Sequence, residues 1–379
     1  MKTIYLYVML TFSCFESSSQ SFNTANEKRW SVAGSKGFVF AHSKDVENTK
    51  GAHPWGIQAD YSWRKTDSFT YKNFYGFPVQ GLTVSYFNFD NAILGKGIVT
   101  AYFLEPEIRF GKKAGVHFRT ALGAIWLSNP YNAQHNPGNH SYSSYLSGYV
   151  SVAAEPYLLL LPKWQLMLSA NYRHTSNGGF KLPNKGINWI TGEVMLCYFP
   201  TQKKDITLVF QQYMQQPYKK FLRWEAFLFG AVRGIDDTTT TRYGVAGGGI
   251  QAGKQTGKTH AFTLALELYY DNADKQQMKI EAASNSGIKC AAMMGHEFLW
   301  GKYIFSQQVG VYLFDATPYY PSWYHRWGLY CIINDKWMAG INLKAHKQVA
   351  NFVDVRLIYT FNKKELKKPD NCKRLSTIL

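Results

Sequence analysis

The sequence reads as an all-β protein, a transmembrane antiparallel β-barrel of roughly 12–16 strands. That reading rests on period-two alternation, on a composition rich in aromatic residues but poor in charge, and on how short the apolar runs are. Aromatic residues make up 16% of the 379 and charged residues 18%. A soluble domain carries about a quarter charged residues, and a disordered chain carries few aromatics. The longest apolar stretches, such as Tyr157 to Leu161, fall far short of the ~20 residues that a membrane helix needs.

From the N-terminus, Lys2 precedes an apolar run from Ile4 to Phe15 and a small polar stretch from Ser17 to Gln20, which predicts a secretory signal peptide over 1–20 and hence export. Cys14 belongs to that leader. Cys197, Cys290, Cys331 and Cys372 lie far apart with no C-x-x-C pair, so neither a zinc site nor a dense disulfide framework is indicated. Farther along, Trp164, Leu166, Leu168, Ala170 and Tyr172 alternate with Gln165, Met167, Ser169, Asn171 and Arg173. Phe262, Leu264, Leu266 and Leu268 alternate with Thr263, Ala265 and Glu267. Near the C-terminus Val353, Val355, Leu357, Tyr359 and Phe361 alternate with Asp354, Arg356, Ile358 and Thr360. Each is a strand of about ten residues with one bulky apolar face and one face able to hold charge.

The connections at 111–113, 161–163 and 200–204 are short, whereas 128–144 and 177–186 are long and rich in Asn, Gly, Pro and Ser. Short turns at one end and long loops at the other are the habit of an outer-membrane barrel. A single barrel over 28–362 is expected, closing on a strand that ends at Phe361, with a basic tail over 363–379. The glycine cluster from Gly244 to Gly253 fits a bent strand rather than a linker.

The segment from Asn171 to Trp189 carries the candidate chemistry. His174 and Ser176 are two apart, so an extended strand projects both from one face. The alternation puts that face on the apolar side, in line with Tyr172, where polar groups cost free energy unless they satisfy each other. The string H-T-S-N-G-G followed by P-N-K-G-I-N, residues 174–188, resembles the lipid A 3-O-deacylase (PagL-like) family of outer-membrane barrels. The resemblance implies His174 as general base and Ser176 as nucleophile. The acid of that family falls on Asn188, an amide here. Strand parity puts Asn188 on the lipid face with Ile190, Val194 and Leu196, and turns Trp189, Thr191 and Glu193 inward. Glu193 is then expected to pair with a lumen base such as Arg173, and Asn188 to orient His174 through its carbonyl.

The Ser-His-Asn combination is also similar to outer membrane phospholipase A, and a porin-like barrel without catalysis is the competing class. Oxyanion donors are sought first in Asn177 and the N–H groups of Gly178 and Gly179, then in Asn184; the same residues also suit a plain turn. No cofactor or metal is expected, with calcium entering only for a phospholipase-like enzyme. His140-Ser141, His296-Glu297 and the string from Ser284 to Gly287 lack a complete set of partners. With 42 Lys and Arg against 25 Asp and Glu, the natural anionic partner is lipid A, as lipopolysaccharide, or phospholipid in the bacterial outer membrane, not nucleic acid. The expected activity is that of a serine esterase that removes an ester-linked acyl chain from lipid A.

Overall fold

A computed structural model describes residues 27–203, 206, 209, 213, 219–235, 241–281, 286–315, 317, 319–347 and 349–366. The expected signal peptide, and the basic tail beyond Leu366, lie outside these residues. The strands are β1 (Glu27–Val39), β2 (Trp55–Arg64), β3 (Val79–Asn88), β4 (Lys96–Glu105), β5 (Glu107–Phe110), β6 (Ala114–Leu127), β7 (Leu146–Leu161), β8 (Trp164–Ser176) and β9 (Ile187–Tyr198). They continue as β10 (Lys220–Arg233), β11 (Tyr243–Gln255), β12 (His260–Asp271), β13 (Ile288–Trp300), β14 (Tyr303–Asp315), β15 (Trp323–Ile332), β16 (Trp337–His346) and β17 (Val349–Leu366). The short helices α1 (Ser68–Phe74) and α2 (Asn272–Ile280) sit in connections.

These strands close twice, which corrects the expectation of one barrel over 28–362. β9 returns to β1, with Trp30 opposite Tyr198 and Val39 opposite Trp189. β4 and β5 pair in succession along β6, so the first nine strands close an eight-stave barrel. β10 pairs with β17 from Lys220 opposite Leu366 to Gly230 opposite Val355, closing a second barrel of eight. Alternation defines a strand and its faces but says nothing about which edge it meets, and closure at eight leaves no open edge in either half. β17 also runs to Leu366, so Lys363 and Lys364 belong to the wall rather than to a tail. The glycine-rich segment is strand β11, where a Cβ on Gly247 would meet that of Tyr269 at 2.2 Å.

Both barrels carry apolar side chains outward and charge inward, the reverse of a soluble sandwich and the pattern of a membrane barrel. In the first, Arg29 pairs with Glu105 at 2.7 Å, Arg119 with Asp60 at 2.8 Å and Arg64 with Glu107 at 2.7 Å, all deeply buried. In the second, Arg326 bridges Glu267 at 3.1 Å and Asp354 at 2.6 Å. An eight-stranded barrel is just wide enough for side chains to fill it, and these networks fill both lumens. That packing argues against a porin-like channel.

Within the first barrel the connections sort by end as expected except at α1. The stretch 200–204, expected as a short turn, is instead part of the longer link between the barrels, since β9 ends at Tyr198 and β10 begins at Lys220. In the first barrel 40–54, 89–95, 128–145 and 177–186 lie at one end and 162–163 at the other, but the 65–78 connection at the short-turn end holds α1. Under the long loops sits an apolar plug containing Phe87, Phe89, Leu94, Phe103 and Trp189. Trp189 is fully buried, with edge contacts to Phe87 and Phe89 at 5.6 and 5.3 Å between ring centroids. Because Trp189 is fixed inward, its neighbour Asn188 must face out.

Candidate active site on the outer wall of the first barrel

Along β8 the odd residues turn inward, with Arg173 and Thr175 buried, and the even ones face out, ending in His174 and Ser176. Arg173 pairs with Glu193 inside the lumen, as the parity argument expected, and also donates to Thr191 and to the Tyr149 hydroxyl. Glu193 is therefore committed to the interior.

His174 and Asn188 are directly opposite in the antiparallel β8–β9 register. Their side chains meet at 2.6 Å, His174 Nδ1 to Asn188 Oδ1. The Tyr172 hydroxyl donates to the same Oδ1 at 2.9 Å, and Asn188 Nδ2 lies 2.8 Å from Nδ1 of His42, so it donates there. An amide has one acceptor oxygen and one donor nitrogen. With His42 taking the nitrogen, the oxygen is held toward His174. His174 then carries its proton on Nδ1 and leaves Nε2 unprotonated, as a general base requires.

His42 had no signal in the sequence, since it lies in the β1–β2 connection, 146 residues from Asn188. The Phe40 N–H donates to the Asn188 backbone carbonyl at 2.8 Å, which lays this connection over the amide. Burial pushes the His42 imidazole below its ordinary value, against the opposing pull of the Lys185 and Phe40 backbones. It is thus neutral and able to accept at neutral pH. Gly186 is a second residue that the motif alone did not explain. Its φ is +78°, and a Cβ there would lie 2.8 Å from His174 Cε1 and 2.9 Å from the Thr175 carbonyl oxygen. Only glycine leaves room for the imidazole.

The expected oxyanion residues separate by what already engages them. Asn177 holds the loop: its Nδ2 donates to the Lys181 carbonyl at 2.7 Å and its Oδ1 accepts from Gly179 N–H at 3.1 Å. Gly178 N–H points at Ser176 Oγ at 3.2 Å. Asn184 Oδ1 accepts from Asn177 N–H at 2.9 Å, while its Nδ2 is buried without a hydrogen-bond partner among the described residues. A buried amide with an unused donor is costly unless something arrives to accept from it. Asn184 Nδ2 is therefore the donor left for a reacting oxygen, Gly178 N–H is already turned to Ser176 Oγ, and Asn177 and Gly179 are scaffold. Among the described residues no hydrogen bond joins His174 to Ser176; such contacts tighten when substrate arrives. No cluster of three or more potential metal ligands occurs among those residues either.

Residues 18–196 match the family described as lipid A 3-O-deacylase (PagL), and residues 222–363 match that described as acyloxyacyl hydrolase, C-terminal domain. Among solved structures, that of the outer membrane enzyme PagL is 17% identical over 44% of this chain and 97% of its own, with a TM-score of 0.33. The KdgM porin is 6% identical over 88% of this chain and 99% of its own, with a TM-score of 0.19. No curated protein matches the sequence. The two matched regions follow the two barrels in order, and the chain belongs to the lipid A 3-O-deacylase (PagL-like) and acyloxyacyl hydrolase family of outer-membrane β-barrels.

Proposed function

We propose that this protein is a serine esterase of the outer membrane that removes an ester-linked acyl chain from lipid A, with Ser176 as nucleophile, His174 as general base and Asn188 as the residue that orients the imidazole. The observation that carries this reading is the 2.6 Å contact between His174 and Asn188 on the lipid-facing wall, one strand position pair below Ser176. Ser176 Oγ attacks the ester carbonyl as its proton passes to His174 Nε2. The tetrahedral oxyanion is met by Asn184 Nδ2, with Gly178 N–H directed at the Ser176 oxygen beside it, and its collapse expels the sugar oxygen, which takes the proton back from the imidazolium. Water, deprotonated by His174, then releases the fatty acid and restores Ser176. A site on the outer wall lets the substrate arrive laterally with its tails still in hydrocarbon.

One observation favours a phospholipase A instead: an amide at residue 188 stabilises the imidazolium less than a carboxylate does, and it is the third member in that other enzyme class. Mass spectrometry of lipid A and phospholipids from cells with and without the protein separates the two. The expected result is lipid A lacking one acyl chain with phospholipid unchanged. Lysophospholipid with intact lipid A would overturn it.

A further inference from the structure

The two barrels touch at both ends of their walls. At the long-loop end, a Cβ on Gly178 would lie 2.8 Å from the Val353 side chain of β17, and one on Gly179 would lie 3.2 Å from the Asn351 carbonyl oxygen. The Arg242 guanidinium stands over the Phe180 ring, 5.6 Å from its centroid. At the other end the Lys302 N–H donates to the Asn73 carbonyl at 3.0 Å, Phe74 stacks on Tyr303 at 5.7 Å, and Lys258 reaches the Tyr71 hydroxyl. Between these points the walls keep their apolar side chains exposed. Below His174 the first barrel presents Tyr172 and its cross-strand neighbour Ile190. Below Val353 the second presents Val355, 68% exposed, and near it Leu228 of β10, 70% exposed. Two apolar walls thus run between contacts at either end, with the loop that follows Ser176 at the upper one.

We propose that these walls border a slot that is the acyl-chain site, so that the second barrel, which carries none of the proposed catalytic residues, forms one wall of the substrate site and reads chain length. The inference rests on the esterase reading above. The occupant is a long acyl chain, because the wall residues are apolar apart from the Tyr172 hydroxyl, which is already engaged by Asn188, and an ester carbonyl at Ser176 leaves its chain only one apolar course, down into the membrane. The clamp on Gly178 and Gly179 makes the second barrel continuous with the catalytic loop itself, and Arg242 at the mouth complements a phosphate-bearing headgroup.

The test uses the full-length protein in detergent micelles, with p-nitrophenyl butyrate and p-nitrophenyl palmitate as probes. Val355→Trp and Leu228→Trp narrow the slot, and Val311→Trp puts the same bulk on the far outward face, on β14. The palmitate-to-butyrate ratio of kcat/KM should fall roughly tenfold in the first two and hold in the third, as expected for a pocket that loses room for several methylenes. Heat-modifiable gel mobility checks folding, and Val355→Phe serves where the tryptophan variant does not insert. An unchanged ratio in folded slot variants, with Ser176→Ala inactive on both esters, overturns the slot and leaves the esterase standing. Full activity of Ser176→Ala on both esters removes the esterase reading, and the slot with it.

Discussion

His174 and Asn188 face each other across adjacent strands, and the amide between them and His42 has both of its ends occupied. Under the proposed esterase mechanism this relay would do part of what a carboxylate does in a triad. It fixes the ring and its tautomer but supplies no full negative charge to the imidazolium. The first consequence is that Ser176→Ala and His174→Ala should each lower ester hydrolysis by a factor of about a thousand or more while the barrels still fold. Because such residues act as a unit, the double variant should be little worse than either single one. Purified protein and a chromogenic ester suffice, and full activity in either single variant would remove the assignment.

Asn188 and Glu193 are separated by function although both lie on β9. Asn188→Ala should reduce kcat on the order of a hundredfold, with insertion unaffected. Glu193→Gln should leave kcat within a few-fold and instead lower the temperature at which the folded band disappears on a gel, because Arg173 loses a buried countercharge. Dependence of activity on Glu193 with indifference at 188 would mean that β9 is read one residue out of register.

That parity was legible because the side-chain period of a strand is two, so one firm inward residue, Trp189, fixes its whole neighbourhood. The closure was not legible. β9 could have met β10 as well as β1, and no local pattern distinguishes those edges; only the long-range pairing of Trp30 with Tyr198 shows it. His42 was hidden for the same reason, since a hydrogen bond across 146 residues leaves no spacing to read. Asn177 and Asn184 were both legible as candidates. Which one holds the loop and which keeps a donor in reserve depends on the fold of 177–186 and could only be seen there.

On the proposed mechanism, His42 should give the activity a pH dependence of its own. Burial lowers its pKa, so the neutral acceptor form prevails at neutral pH and its contribution to order is lost as pH falls through that depressed value. Once protonated, Nδ1 can no longer accept from Asn188 Nδ2. Activity should therefore decline toward acid more steeply than one titrating imidazole allows. His42→Asn, which offers an oxygen that does not titrate, should retain activity within a few-fold and show a shallower acid limb; His42→Ala should lose roughly tenfold in kcat. An acid limb identical in wild type and His42→Asn would disprove the coupling.

Asn184 should act on the transition state. Its Nδ2 has no partner among the described residues, so Asn184→Ala should remove a donor kept for a developing oxyanion. Loss of one such donor typically costs about a hundredfold or more in kcat with little change in KM. Its Oδ1 also steadies the loop through the Asn177 N–H. Asn184→Asp, which keeps that oxygen and loses the donor, is the cleaner variant. Equal KM and kcat effects in Asn184→Asp would make Asn184 a loop residue only.

The last expectation concerns the side of the membrane. The 177–186 loop leaves the barrel at the same end as 40–54, 89–95 and 128–145, the long connections that outer-membrane barrels turn to the cell exterior. Lipid A occupies that outer leaflet, whereas phospholipid is ordinarily the inner-leaflet lipid. Lys181 is suited to report on it. Its side chain is exposed, while its carbonyl accepts from Asn177 Nδ2 and from Ser143 Oγ, contacts that a change of side chain leaves alone. It also borders a cavity of about 590 Å³ between this loop and the 128–145 connection, lined by Asn129, Tyr131, His135 and Ser144 among others. In a background freed of native cysteines, Lys181→Cys should react with a membrane-impermeant maleimide on intact cells as fast as in broken ones. Labelling that requires rupture of the outer membrane would put the loop in the periplasm. Ser176 would then meet inner-leaflet phospholipid, and lipid A would no longer be the substrate in the cell, whatever esters the purified protein hydrolyses.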